Sequence, residues 1–294
     1  MSTTDARPTL AKADFDGIYD QPDPRPYFHG LGAHDYSVPH YGQHVFRRVL
    51  NALDVDSPTV LDVCCSYGVN AALLKHDIGL ADLYDHYRSD EVADLTSEEL
   101  AAVDRERFAA CREGAPTVIG LDAASNAIAY GVEVGLLDQG VVENLEENPP
   151  SPELATAVGS VDLVTVTGGI GYVTERTFDR LFECTDPERR PWLAALCLRT
   201  VPFEPIADRL ATHGLVTEQL DGVTYPQRRF ASEDERAYAL GELDALGIDP
   251  TGRESEGSYH VNVFLARPVD EAAERPIEDI LGDLPEEPDH IPSA

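Results

Sequence analysis

The 294-residue chain carries 54 acidic residues against 22 basic ones, a formal charge of -32 at pH 7, and only two of its bases are lysines, Lys12 and Lys75. Such a surface repels phosphate backbones and anionic headgroups, which argues against nucleic acid as a partner and against membrane-surface binding. A 43% hydrophobic share suffices for a sizeable core, and no run of 18 apolar residues offers a membrane span.

The acid excess fits adaptation to high salt, where screening removes self-repulsion, and it fits a GC-rich genome equally well; composition leaves both open. Five cysteines, Cys64, Cys65, Cys111, Cys184 and Cys197, form an odd set without disulfide spacing. The start MSTTDARPTL has no hydrophobic signal region, so the expected compartment is reducing cytoplasm.

Residues 1–50 are dense in proline, histidine and aromatics and end in FRRVLNAL, which has helical spacing. The segment reads as an N-terminal cap outside the core repeat. It either closes a site as a lid or lies anchored on the surface by its rings, and the lid is the expectation. A strand over 59–65 leads into a helix from Val69 to His76, and an insertion of about residues 77–115 follows. Within it, Thr96 and Glu99 form a capping box ahead of LAAVDRERFAAC, a helix of about four turns. Strand two covers Thr117 to Asp122, its helix starts near Ser125, and GVVENLEE supplies a short third strand. VDLVTVT, apolar throughout, is a fourth strand buried on both faces. Then come a helix from Thr177, a strand LAALCLRTV, a helix over PIADRLATHGL, a strand near VTEQL, a helix from Glu233 to Gly247 and a strand YHVNVFLARP. This alternation predicts an α/β domain over residues 51–268 with a mostly parallel, doubly wound sheet. Residues 269–294, with nine acids against one arginine, read as a solvated acidic tail holding one short helix near Ile277 to Leu281.

Two acid-terminated strands, TVLDVCCSYG from Thr59 and VIGLDAASNAIAYG from Val118, suggest a nucleoside-type cofactor, because strand ends, a tight turn and a helix N-terminus converge at one sheet edge. The pairing resembles the class I S-adenosylmethionine (SAM)-dependent methyltransferases, whose first motif is V-L-D-x-G-x-G-x-G. Val60, Leu61, Asp62 and Gly68 match, as does Asp122, and VDLVTVTGGIGYV at 161–173 falls where the family's fourth strand and following loop lie. Cys64 and Ser66 stand where the family has glycine, and the gap from Gly68 to Asp122 is long enough to require the insertion.

The resemblance implies a Rossmann-like, seven-stranded sheet whose last strand runs antiparallel beside the fifth, and SAM as cofactor. It implies that Asp62 organises the turn carrying Cys64, Ser66 and Gly68 and reaches water or the methionine amine. Asp122, with Ala123, would grip the ribose hydroxyls, the alternative being an N-cap of the next helix. Glu143 and Asn144 are placed to meet the adenine amino group. Gly168 allows close backbone approach after the fourth strand, and Tyr172 can line an acceptor pocket.

His40 and His44 stand four residues apart with His29 and His34 nearby, but no further ligand set completes a metal site, so none is expected. With Tyr27, Tyr36 and Tyr41 these histidines read as a polar aromatic lid, in which His29, Tyr36 or His40 can serve as general base. Cys64 and Cys65 read as small packing residues of a turn. The expected activity is SAM-dependent methyl transfer to a small molecule. The alternative keeps SAM but reacts its amino-acid arm, releasing methylthioadenosine by cyclisation or aminocarboxypropyl transfer. A nicotinamide dehydrogenase is disfavoured by the absence of G-x-G-x-x-G, and the D/N-P-P-Y sequence of DNA amino-methyltransferases is absent. A pure binding role and the oligomeric state, a homodimer included, stay open.

Overall fold

Short apolar runs rich in branched residues, separated by helical spacings, can bury both faces only in the middle of a covered sheet. A computed structural model describes residues 16–284 in this arrangement. Strands β1 Thr59–Val63, β2 Thr117–Asp122, β3 Gln139–Val142, β4 Leu163–Thr167, β5 Trp192–Leu198, β6 Leu215–Arg229 and β7 Ser258–Pro268 form one sheet in the order β3-β2-β1-β4-β5-β7-β6. The first five run parallel, and β7 inserts antiparallel between β5 and β6. This is the Rossmann-like sheet expected, including the position of the last strand. The order reverses between β1 and β4, and that switch point opens a crevice at the carboxyl ends of the strands.

Three helices precede the sheet: α1 Asp16–Tyr19, α2 Arg25–Gly32 and α3 Val38–Ala52. After β1, α4 Val69–Lys75 leads to an insertion of α5 Leu80–Tyr87, α6 Asp90–Ala93 and α7 Ser97–Arg107. The helix α7 opens on the capping box of Thr96 and Glu99, as expected, and spans eleven residues, three turns and not four. Its Asp104 is fully buried and accepts hydrogen bonds from the Tyr87 hydroxyl at 2.7 Å and the Tyr130 hydroxyl at 2.5 Å. The carboxylate thus ties the insertion to α8 Ser125–Glu133, the helix after β2. The remaining helices are α9 Pro152–Val158, α10 Glu175–Glu183, α11 Glu204–Thr212, α12 Glu233–Leu246, α13 Val269–Glu274 and α14 Ile277–Leu281.

Three expectations are corrected. The N-terminal segment is no appendage to the core: Phe28, Leu31, Val38, Val45 and Phe46 are 0–1% exposed and join the same apolar cluster as β1, β5 and β7. The stripe on α3 at Val38, Val45, Val49 and Leu50 faces the sheet, which a count of prolines and histidines obscures. The acidic tail is not wholly solvated, because Ile277, Ile280, Leu281 and Leu284 recur at helical spacing and are buried against α3 and β6. Residues 285–294 lie outside the described residues. Finally, β6 runs 15 residues, far beyond VTEQL, with irregularities between Gln219 and Thr224 and between Pro226 and Arg228. Its far end holds the N-terminal segment, since the Ser37 N–H donates to the Gln227 carbonyl at 2.7 Å and the Arg229 N–H to the His34 carbonyl at 2.7 Å.

Candidate active site

The turn after β1 departs from the glycine pattern in residue type but not in conformation. Cys64 has φ 58°, Ser66 φ 50° and Gly68 φ 80°, so all three alternate positions take the left-handed backbone that glycine adopts freely. The two side chains cost strain of about 1–3 kcal/mol each, which surrounding contacts must offset. Asp122 supplies one such contact. Its Oδ2 accepts the Ser66 N–H at 2.9 Å, while Oδ1 accepts the Ala124 N–H at 2.9 Å at the start of α8. On the other side, Gly169 lets Cys64 approach closely: a Cβ there would stand 2.8 Å from the Cys64 sulfur. The Tyr67 hydroxyl accepts the Gln21 N–H at 2.8 Å, latching the N-terminal segment to the turn.

These loops enclose a cavity of about 550 Å³ at the carboxyl ends of β1, β2 and β4, within the range that holds a cofactor or drug-sized ligand. Asp122, Ala123, Glu143 and Asn144 line it from the ends of β2 and β3, and Cys64 and Ser66 from the turn after β1 between these and β4. Gly168 and Tyr172 line it from the turn after β4, and Tyr36 from the N-terminal segment. Nine of the thirteen residues singled out in the sequence therefore meet here.

The other four do not line the cavity. Gly68 is the N-cap of α4 and packs toward Leu136 and Leu137. Asp62 is fully buried behind the wall, where its Oδ1 accepts from the Asn70 amide at 2.9 Å and the Thr165 hydroxyl at 2.8 Å. Burial pushes its carboxyl up from 3.8 to about 7, against the lowering effect of those two hydrogen bonds. Asn70 also donates to the Thr167 hydroxyl at 3.1 Å, and Asn70 and Thr167 do line the cavity, so Asp62 acts on the site through them. His29 is exposed on α2, and His40 on α3 packs its ring against Tyr41 and His44 at 5.1 and 5.2 Å. Neither histidine reaches the cavity, and the base role expected for them is withdrawn. Among the described residues no group of three His, Cys, Asp or Glu is disposed to hold a metal ion, and no helix is long and apolar enough to cross a membrane.

Tyr19 and Tyr27 reach the cavity from the N-terminal segment that supplies the lid rings. Sequence reading missed Glu146. Glu146 accepts from the Thr174 N–H and hydroxyl and from the Thr177 hydroxyl at 2.7–2.9 Å, clamping the loop after β3 onto the start of α10. Burial opposes ionisation of Glu146, but these hydrogen bonds win and hold its carboxyl below the usual range. Among the described residues no Lys, Arg or His lines the cavity, while Asp122, Glu143, Glu146 and Glu147 do.

No family model and no curated protein sequence matches the chain. Solved structures do match. A TehB-like SAM-dependent methyltransferase from Corynebacterium glutamicum is 13% identical with a TM-score of 0.39, over 81% of this chain and 93% of its own. The YcgJ protein from Bacillus subtilis is 10% identical with a TM-score of 0.44, over 76% and 98%. The magnesium protoporphyrin IX methyltransferase from Synechocystis, solved with bound SAM, is 13% identical with a TM-score of 0.39, over 84% and 85%. Similarities this distant say nothing about the reaction, and the fold rests on the strand order itself.

Proposed function

We propose that the chain binds SAM in this cavity and transfers its methyl group to a small molecule. The observation that carries the reading is the charge of the lining: four carboxylates and, among the described residues, no cationic side chain. A dinucleotide or nucleotide brings phosphates, whose charge four carboxylates repel. A sulfonium brings positive charge, which suits carboxylates and phenol faces.

The residues present fit SAM on a second ground. The Asp122 carboxylate takes backbone hydrogen bonds from Ser66, Ala124 and Ala123, and two carboxylate oxygens have capacity for about four, so it can hold the turn and still accept a ribose hydroxyl. Glu143 and Asn144 at the end of β3 are placed for the base, and Asn70 and Thr167 for the methionine end. When bound, the sulfonium supplies an electrophilic methyl. The protein is left to align the acceptor and keep out water, the task for which Tyr19, Tyr27 and Tyr36 cover the cavity.

Calorimetric titration with SAM and with S-adenosylhomocysteine tests the site, and absence of binding by both overturns it. Mass spectrometry after incubation with SAM and a panel of small acceptors tests the reaction. S-adenosylhomocysteine is the expected product, and methylthioadenosine in its place transfers the proposal to chemistry on the amino-acid arm.

A further inference from the structure

We infer that the methyl acceptor is a small amine, seated in the tyrosine-lined half of the cavity; the inference rests on the SAM reading above. Tyr19, Tyr27, Tyr36 and Tyr172 supply four phenol rings to this half. The Tyr27 ring stands edge-on to Tyr19 at 5.8 Å and to Tyr36 at 6.3 Å, so the wall is a preformed set of aromatic faces. Tyr172, 51% exposed on the turn after β4, completes it at the mouth.

Charge selects among acceptors. Arg228, whose charge acts on Tyr19 and Tyr36, does not line the cavity, and both its terminal nitrogens are held by Glu235 at 2.6 and 3.0 Å. A carboxylate or phosphate acceptor would thus shed its water and gain no cation from the described lining, where Glu146 and Glu147 add negative charge beyond the carboxylates given to the cofactor. An oxygen or sulfur acceptor attacks best as an anion, which the same carboxylates disfavour. Among the described residues no imidazole lines the cavity to take its proton, and burial pushes the Tyr19 and Tyr36 phenols above their ordinary range.

An amine enters at pH 7 as its ammonium ion, gives that proton to water, and then attacks as a neutral base, with no anion for the carboxylates to oppose. Its nitrogen lone pair forms the N–C bond as the C–S bond breaks, with that electron pair left on sulfur. Positive charge passes from sulfur to nitrogen, so the wall that suits the sulfonium suits the product ammonium, which yields its proton to water on release. Phenol faces and carboxylates stabilise the cation at every stage.

The test uses the full chain and three probes of one size: benzylamine, benzyl alcohol and benzoate. Protein saturated with S-adenosylhomocysteine is titrated with each by calorimetry at pH 7. Benzylamine should bind at least about ten-fold tighter than benzoate, and tighter than the alcohol. Tyr172→Leu should weaken benzylamine by about 2- to 30-fold, the range of one cation–π contact, while Tyr172→Phe retains it. In both variants S-adenosylhomocysteine affinity should stay within about two-fold, since Tyr172 follows β4 and Asp122 ends β2, with β1 between them. Benzoate or benzyl alcohol binding as tightly as benzylamine, or none of the three binding, overturns the amine assignment and leaves the cofactor site standing. Failure of S-adenosylhomocysteine itself to bind overturns the underlying reading.

Discussion

The Asp122 carboxylate accepts the Ser66 N–H at 2.9 Å, so the acid at the end of the second strand fastens the turn after the first. Asp122→Ala removes the acceptor for both Ser66 and Ala124 and should lower stability by about 1–3 kcal/mol. Its S-adenosylhomocysteine affinity should fall by a further ~1.5–3 kcal/mol. Asp122→Asn, which keeps one acceptor oxygen, should fall between wild type and alanine. Calorimetry and thermal unfolding read both effects, and an unchanged affinity with lowered stability would reduce Asp122 to a structural tie.

Ser66 combines a left-handed backbone with a buried hydroxyl that has no hydrogen-bond partner among the described residues. Ser66→Gly relieves both and adds some unfolded-state entropy, for a net gain of about 1 kcal/mol and about 2 °C in Tm. Differential scanning calorimetry decides it; a lower Tm would mean that the hydroxyl is satisfied in solution.

Asp62 makes stability depend on pH. Its carboxyl titrates near 3.8 when unfolded and near 7 when folded, so between these values the folded state keeps a proton that the unfolded state has lost. The residue's contribution is therefore greatest below pH 4 and is lost as pH rises toward 7. Asp62→Asn retains an acceptor for Asn70 and Thr165 and cannot ionise. The Tm of the variant minus that of wild type should rise from pH 4 to pH 8, and a gap that stays constant would place the Asp62 carboxyl in the ordinary range.

Deleting residues 1–44 removes Tyr27, Phe28, Leu31 and Val38, all 0–4% exposed, together with the first half of α3. Each large core side chain is worth about 2–5 kcal/mol, and a domain has only about 5–15 in hand. The truncated chain should not fold, as circular dichroism and gel filtration would report. Tyr67→Phe is the milder probe of the same segment. It loses the bond from Gln21 and should speed proteolysis near residue 21 while the sheet stays folded.

If salt adaptation explains the acid surface, the unfolding midpoint should climb from low to molar KCl as the carboxylates are screened. A flat midpoint would leave genome composition as the explanation. One of the two lysines does no surface work in either case, since Lys75 is 3% exposed and bonds Asp138 and the carbonyls of Gly135 and Leu136.

The strands were legible because their apolar runs are uninterrupted, and Asp122 because a strand and a helix start bracket it. Cys64 and Ser66 hid the turn, since residue type advertises a left-handed backbone only when it is glycine. Glu146 was illegible for another reason: its partners Thr174 and Thr177 lie across a helix and a strand, and no local spacing links them. The core packing of the N-terminal helices was hidden because Pro, His and Tyr dominate the count while Val38, Val45 and Val49 do the packing. In the tail, the helix at Ile277 to Leu281 was legible and its burial was not, because nine acids pointed to solvent.

The docking of α14 on α3 sets an order of assembly. Arg48 on α3 bonds Asp283 at 2.6 Å, a partner synthesised 235 residues later. A nascent chain extended only to Pro268 has every strand of the sheet but leaves the α3 surface that Ile277 and Leu281 cover in water. The helix that follows Tyr36 and carries Pro39 of the cavity wall therefore receives this support only after residues 277–284 are made, and contacts closed over such a span form slowly. A chain stopped at Pro268 would have the sheet without this support for its pocket wall.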